Sequence, residues 1–167
     1  NYAEGGKGYG NNELQYYTKA DTNNAIVKNG KLYITALQQT KENNKYTSAR
    51  LFTKDKVEFM YGRIEISAKL PAGRGTWPAI WMLGKNRTAI SWPECGEIDI
   101  MEHVGYDPDS IHGTIHSKAY NHIRGTQKGK AIFIKNPYTV FNTYAIEWTP
   151  EKIDFIVNDV VYNSFKN

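Results

Sequence analysis

A chain of 167 residues, 40% hydrophobic and 23% charged, is long enough to bury one sizeable core and has the composition of a globular domain. Its net charge of +4 is spread without a basic run, which argues against nucleic acid as a partner, and no apolar run approaches the roughly 18 residues of a membrane span. One cysteine, Cys95, excludes an internal disulfide and a multi-cysteine metal site. Beside an acidic stretch it reads as a small packed residue rather than a nucleophile.

In chain order the dominant period is two. The chain opens on the glycine-rich NYAEGGKGYGNN, and Lys28-Asn29-Gly30 is the first clear turn signal. In KLYITALQ, Leu32, Ile34 and Ala36 share one face and Tyr33, Thr35 and Leu37 the other. In YGRIEISAKL, Ile64, Ile66, Ala68 and Leu70 oppose Arg63, Glu65, Ser67 and Lys69, and Pro71-Ala72-Gly73 ends the run. GTWPAIWMLG follows, with Trp77 and Trp81 four apart and so on one face of an extended chain; Trp92 comes just before the acidic GEIDIMEH. Beyond HGTIHSKAY, the segments TYAIEWTP and KIDFIVNDVVY alternate again, with Asn158-Asp159 as a two-residue hairpin turn. No segment of ten or more residues carries a helical stripe, and no linker or repeat divides the chain. The expectation is one all-β domain over residues 1–167, an antiparallel sandwich.

GEIDIMEH poses a parity problem. As a strand it turns Ile98 and Ile100 to the core and Glu97 and Asp99 to the other face, but regular alternation buries Glu102 among the isoleucines. An unpaired buried carboxylate costs several kcal/mol. One extra residue, a β-bulge at or near Met101, returns Glu102 to the face of Glu97 and Asp99. Glu97 and Glu102 are then about four strand steps apart, roughly 13 Å between α-carbons. Side chains leaning together close that to about 5–7 Å, whose lower part suits a retaining glycosidase. Three acids this close do not all ionise freely, so the neighbours hold a proton on the acid/base.

The spacing alone leaves three readings open: catalysis, a solvated strand face, or a cation site. For the last, a linear row on one strand is a poor oxygen cage for calcium, and magnesium sites usually need substrate phosphates. The tryptophans tip the balance. Aromatics make up 13% of the chain, and several lie close to the acids, as expected where flat apolar sugar faces stack on rings. His116 and Arg50 are candidates for polar contacts to the sugar.

At these residues the chain resembles a known family. GEIDIMEH, with WPAIWML upstream and YGNNELQYYT near the start, is similar to the laminarinase-type β-1,3-glucanases of glycoside hydrolase family 16. The E-I-D-I-x-E signature with its inserted residue is specific; relatives acting on mixed-linkage glucans have a shorter, bulge-free form. The resemblance implies a concanavalin-like β-jelly roll of two stacked sheets, the concave one an open cleft for endo-cleavage with retention. By motif, Glu97 matches the nucleophile, Glu102 the acid/base, and Asp99 the acid between them that tunes protonation. Asn12 and Arg50 match positions that hydrogen-bond sugar on the non-reducing side. Trp77, Trp81 and Trp92 match cleft aromatics, and His116 a cleft histidine near the carboxylates.

The resemblance further implies a secreted endo-β-1,3-glucanase with a β-glucan polysaccharide as partner and no required cofactor. Two rivals share the fold: a 1,3-1,4-glucanase and a glucan-binding protein, the latter typically without the glutamates that are present here. Family members carry an earlier strand and later ones, so a further segment or second chain is expected to complete the sandwich. A structural calcium is held partly by those ends, and its ligands are not assignable within these residues.

Overall fold

Alternating side chains and two-residue turns make strands nearly all of the regular structure in this chain, beside three short 3-10 turns among the described residues. The structure is a computed structural model and describes residues 1–166. It forms two compact units, Asn1–Glu58 and a second from Phe59 onward, each described by itself.

In the first unit, β1 (Gln15–Tyr17) runs parallel to β4 (Tyr46–Ser48), while β2 (Ala25–Lys28) and β3 (Lys31–Ile34) make a hairpin. Its turn is the expected one: Asn29 and Gly30 have φ of 52° and 69°, the left-handed pair that a tight hairpin turn demands. A buried polar knot ties these strands together. Thr18 Oγ1 donates to Asn24 Oδ1 (2.9 Å), and Asn24 Nδ2 donates to Thr47 Oγ1 (3.1 Å) and to the Thr35 carbonyl (2.9 Å). All three side chains are buried, and satisfied groups of this kind fix one arrangement. Of the two faces read from KLYITALQ neither is covered along β3, which stops at Ile34 with all four of its residues exposed. The hairpin is its own two-stranded sheet among the described residues, so neither of its faces is selected by the pattern of a core.

In the second unit the alternation holds. Its strands are β5 (Gly62–Ala68), β6 (Ala79–Leu83), β7 (Glu97–Glu102), β8 (Ser110–His116), β9 (Lys128–Phe133), β10 (Asn142–Trp148), β11 (Lys152–Val157) and β12 (Val160–Lys166). They form two antiparallel sheets of order β5-β10-β11-β12 and β6-β7-β8-β9. The core draws on both: Ile100, Met101, Ile111 and Ile115 from one, Tyr144, Ile146, Ile153, Phe155 and Val157 from the other. Ile64, Ile66, Ala68 and Leu70 join it, as the alternation of YGRIEISAKL requires. Asn158 and Asp159, with φ of 48° and 64°, turn β11 into β12. The antiparallel sandwich read from the sequence is the observed architecture.

One close approach holds the site-bearing sheet against its partner. Gly113 lies on β8 between Ile111 and Ile115, and a Cβ there would meet Tyr162 and come within 2.5 Å of Phe155 Cδ1. Phe155 is wholly buried, so a methyl group has nowhere to go without shifting the sheets. Gly113→Ala is expected to lower the unfolding free energy by about 1–3 kcal/mol. Denaturant titration measures it, and a change within about 0.5 kcal/mol would contradict this packing.

Candidate active site

Strand register positions the carboxylates. On β6, Leu83 pairs with Glu97 and Ala79 with Glu102; on β8, His116 pairs with Glu97 and His112 with Glu102. Each neighbour therefore spans four residue steps where β7 takes five. The ladder shifts between Asp99 and Glu102 on β8's side, and opposite Ile80/Trp81 on β6's, which locates the bulge at Ile100–Met101. Both bulge residues are buried in the core, and parity is reset behind them. Glu97, Asp99 and Glu102 share one face, Glu97 and Glu102 about 13 Å apart along the strand by the four steps of either neighbour. The bulge expected near Met101 is present.

Burial sets the electrostatics of that face. Asp99 is 3% exposed, and burial first, then the charge of Glu102, pushes its carboxyl up to about 8. Glu97 is half-buried; burial first and then Asp99 push it up to about 7, while His116 draws it down. Near neutrality the Glu97–Asp99 pair therefore retains a proton, and the deeper burial of Asp99 assigns it there.

Cross-strand neighbours complete the surroundings. The Trp77 indole N–H donates to Glu102 Oε1 at 3.0 Å, although the ring itself is exposed. Trp81 pairs with Asp99 and so stands on the acid face. His116 Nε2 lies 3.3 Å from Asp99 Oδ2. Trp92 packs against the rings of His116 (5.8 Å between centroids) and His122 (4.8 Å), which meet each other at 5.4 Å. Trp92 thus braces the imidazole that faces Asp99. Beside Glu102 a cleft of about 210 Å³ is lined by Trp77, Val104, Tyr106, Asp107, His112 and Thr114, and His112 Nε2 is 3.4 Å from Asp107 Oδ2.

The structure thus brings together Glu97, Asp99, Glu102, Trp77, Trp81, Trp92 and His116 on one sheet and its loops. Asn12 and Arg50 lie in the first unit. Asn12 holds a left-handed turn (φ 56°), and the next residue, Glu13, pairs with Arg50 at 3.6 Å and accepts from Tyr17 Oη and Gln15 Nε2. The Arg50 guanidinium also covers the rings of Tyr9 and Tyr17. His112 and His122 were missed by sequence reasoning. For His112 a signal existed in HGTIH, where it shares a strand face with His116; His122 is brought in by the short 3-10 turn His122–Arg124 and has none.

The family model for Glycosyl hydrolases family 16 matches residues 11–167. A β-glucanase of Rhodothermus marinus is 56% identical over 168 residues, covering 99% of this chain and 59% of the relative. The X-ray structure of the laminarinase from Rhodothermus marinus superposes with a TM-score of 0.96 at 55% identity, over 99% of this chain and 67% of that one. A non-specific endo-β-1,3(4)-glucanase co-crystallised with 1,3-β-D-cellotriosyl-glucose gives 0.95 at 40% identity, over 100% and 67%. This chain thus spans about three fifths of the length of that β-glucanase.

The raised carboxyls carry a pH dependence. Both bind protons more tightly folded than unfolded, where the ordinary values are 4.5 for Glu97 and 3.8 for Asp99. The native state thus holds excess protons between about pH 4 and pH 8, and stability falls as pH rises through that window. Asp99→Asn, which puts a permanently neutral amide in the same place, is expected to flatten this slope. Parallel profiles of unfolding free energy against pH for the variant and the parent would contradict the assignment.

Proposed function

This chain belongs to glycosyl hydrolase family 16, and from that membership and the acid strand we propose that it is an endo-β-1,3-glucanase cutting laminarin-like polysaccharide by double displacement. The observation that carries the proposal is the bulge: it returns Glu102 to the face of Glu97, within side-chain reach of one glycosidic bond. In the first displacement a Glu97 carboxylate oxygen attacks the anomeric carbon, while Glu102 gives its proton to the glycosidic oxygen. The bond to the leaving sugar breaks and a glycosyl ester on Glu97 forms. Glu102, now ionised, then takes a proton from water, whose oxygen attacks the same carbon and frees Glu97.

In this scheme Asp99 keeps the pair's proton, which leaves Glu97 ionised to attack and gives its carboxylate a neutral neighbour. Trp77 steadies Glu102 through its N–H. Trp81 and the exposed ring of Trp77 offer apolar faces to sugar, and His116, Asn12 and Arg50 are taken as sugar-binding positions. A polymer too large to cross a membrane has to be met outside the cell, so we take the enzyme to be secreted. Mixed-linkage glucan is a second substrate reading. The co-crystallised relative, a non-specific endo-β-1,3(4)-glucanase, supports it and covers the whole of this chain at a TM-score of 0.95.

Reducing-sugar release from laminarin and from mixed-linkage β-glucan tests the proposal. Glu97→Gln and Glu102→Gln are each expected to lose roughly three orders of magnitude or more in turnover. Unchanged release in Glu97→Gln removes it from the chemistry, and a protein that binds glucan without releasing sugar is a binding module.

A further inference from the structure

We propose that Glu97, Asp99 and His116 form a binding site for a divalent transition-metal ion, zinc above all, which closes the acid face by occupying its middle. Their ligand atoms all lie within 4.8 Å of one another, and no other group of three such donors converges among the described residues. Within the group, His116 Nε2 and Asp99 Oδ2 are 3.3 Å apart. Zinc holds nitrogen and oxygen ligands at about 2.0–2.2 Å, so two corners of its tetrahedron stand about 3.3–3.5 Å apart. The two side chains are therefore spaced as zinc ligands without rearrangement, and a rotation of the half-buried Glu97 supplies the third.

A second observation points into the same place. Apart from the His116 imidazole 3.3 Å away, Asp99 Oδ2 meets no hydrogen-bond partner although Asp99 is only 3% exposed, and an under-satisfied buried carboxylate oxygen is costly. A bound cation satisfies it. The poor cage that three acids make in a row on one strand is remedied by the imidazole from β8, whose residue pairs directly with Glu97. That imidazole also selects the metal. Calcium and magnesium seek oxygen alone, whereas two carboxylates and one imidazole suit zinc and its transition-metal neighbours.

Binding itself does not depend on the proposed function; its consequence does. A zinc ion on Glu97 and Asp99 ties up the attacking oxygen, so zinc inhibits glucan hydrolysis if Glu97 is the nucleophile. Calorimetric titration of zinc into the full chain, paired with the visible absorption of cobalt(II) as a zinc substitute, reads occupancy without any turnover. One ion per chain is expected, weakened about tenfold or more in each of Asp99→Asn, His116→Ala and Glu97→Gln, with circular dichroism checking the fold. His112→Ala, which alters only the imidazole beside Asp107, is expected to bind as the parent does. The proposal is overturned by a parent chain with no saturable binding at millimolar zinc, by unchanged binding in those variants that stay folded, or by binding lost in His112→Ala instead. Zinc that binds a chain inactive on laminarin leaves the site standing and removes only the hydrolase reading.

Discussion

Five steps of β7 are matched to four on each of its neighbours, and the chemistry of this chain hangs on that mismatch. Because β6 and β8 agree on it, residues 79–83 on one side and 112–116 on the other, the extra residue belongs to β7 and is not slack in a neighbour. A bulge breaks ladder bonds and leaves a residue unpaired. Here the loss is offset by hydrophobic burial, since both Ile100 and Met101 turn into the core and are almost wholly covered. The apolar interior thus fixes the register, and the register fixes the acids.

The face so produced is electrostatically tense. Three carboxylates share one strand face, the middle one nearly inaccessible to water, and burial alone favours their neutral forms. A surface row would ionise fully and do nothing; a wholly buried row would stay protonated. The graded burial of Asp99 over Glu97 separates their tendencies, so one proton near neutrality is kept where it is least in the way. The same gradation, with His116 leaning in from β8, makes the place attractive to a metal ion. Stability is conceded at the site and recovered by packing such as that around Gly113.

Much of this was legible in the sequence because it is local. Period-two patterns in YGRIEISAKL, TYAIEWTP and KIDFIVNDVVY name their own inward faces, and Asn-Gly and Asn-Asp name their turns. The parity of Glu102 demanded a bulge before any partner strand was known. What escaped depends on register between distant segments. The resemblance put His116 near the carboxylates, but nothing in HGTIHSKAY itself announces that it will meet Asp99, nor that His122 and Trp92 will pack on it. The exposed hairpin of β2 and β3 escaped for the opposite reason. Its alternation is genuine, but a pattern states which side chains share a face and not whether anything covers it.

The stereochemistry of the first-formed product tests the shared face of Glu97 and Glu102 most directly. Carboxyl groups about 5–5.5 Å apart permit direct attack and retention, whereas about 6.5–9.5 Å leaves room for a water and inverts. Proton NMR of freshly cleaved laminarin resolves the two anomers before mutarotation mixes them. The β-anomer appearing first is the expected result, and an initial α-anomer signal would contradict a double displacement on this strand.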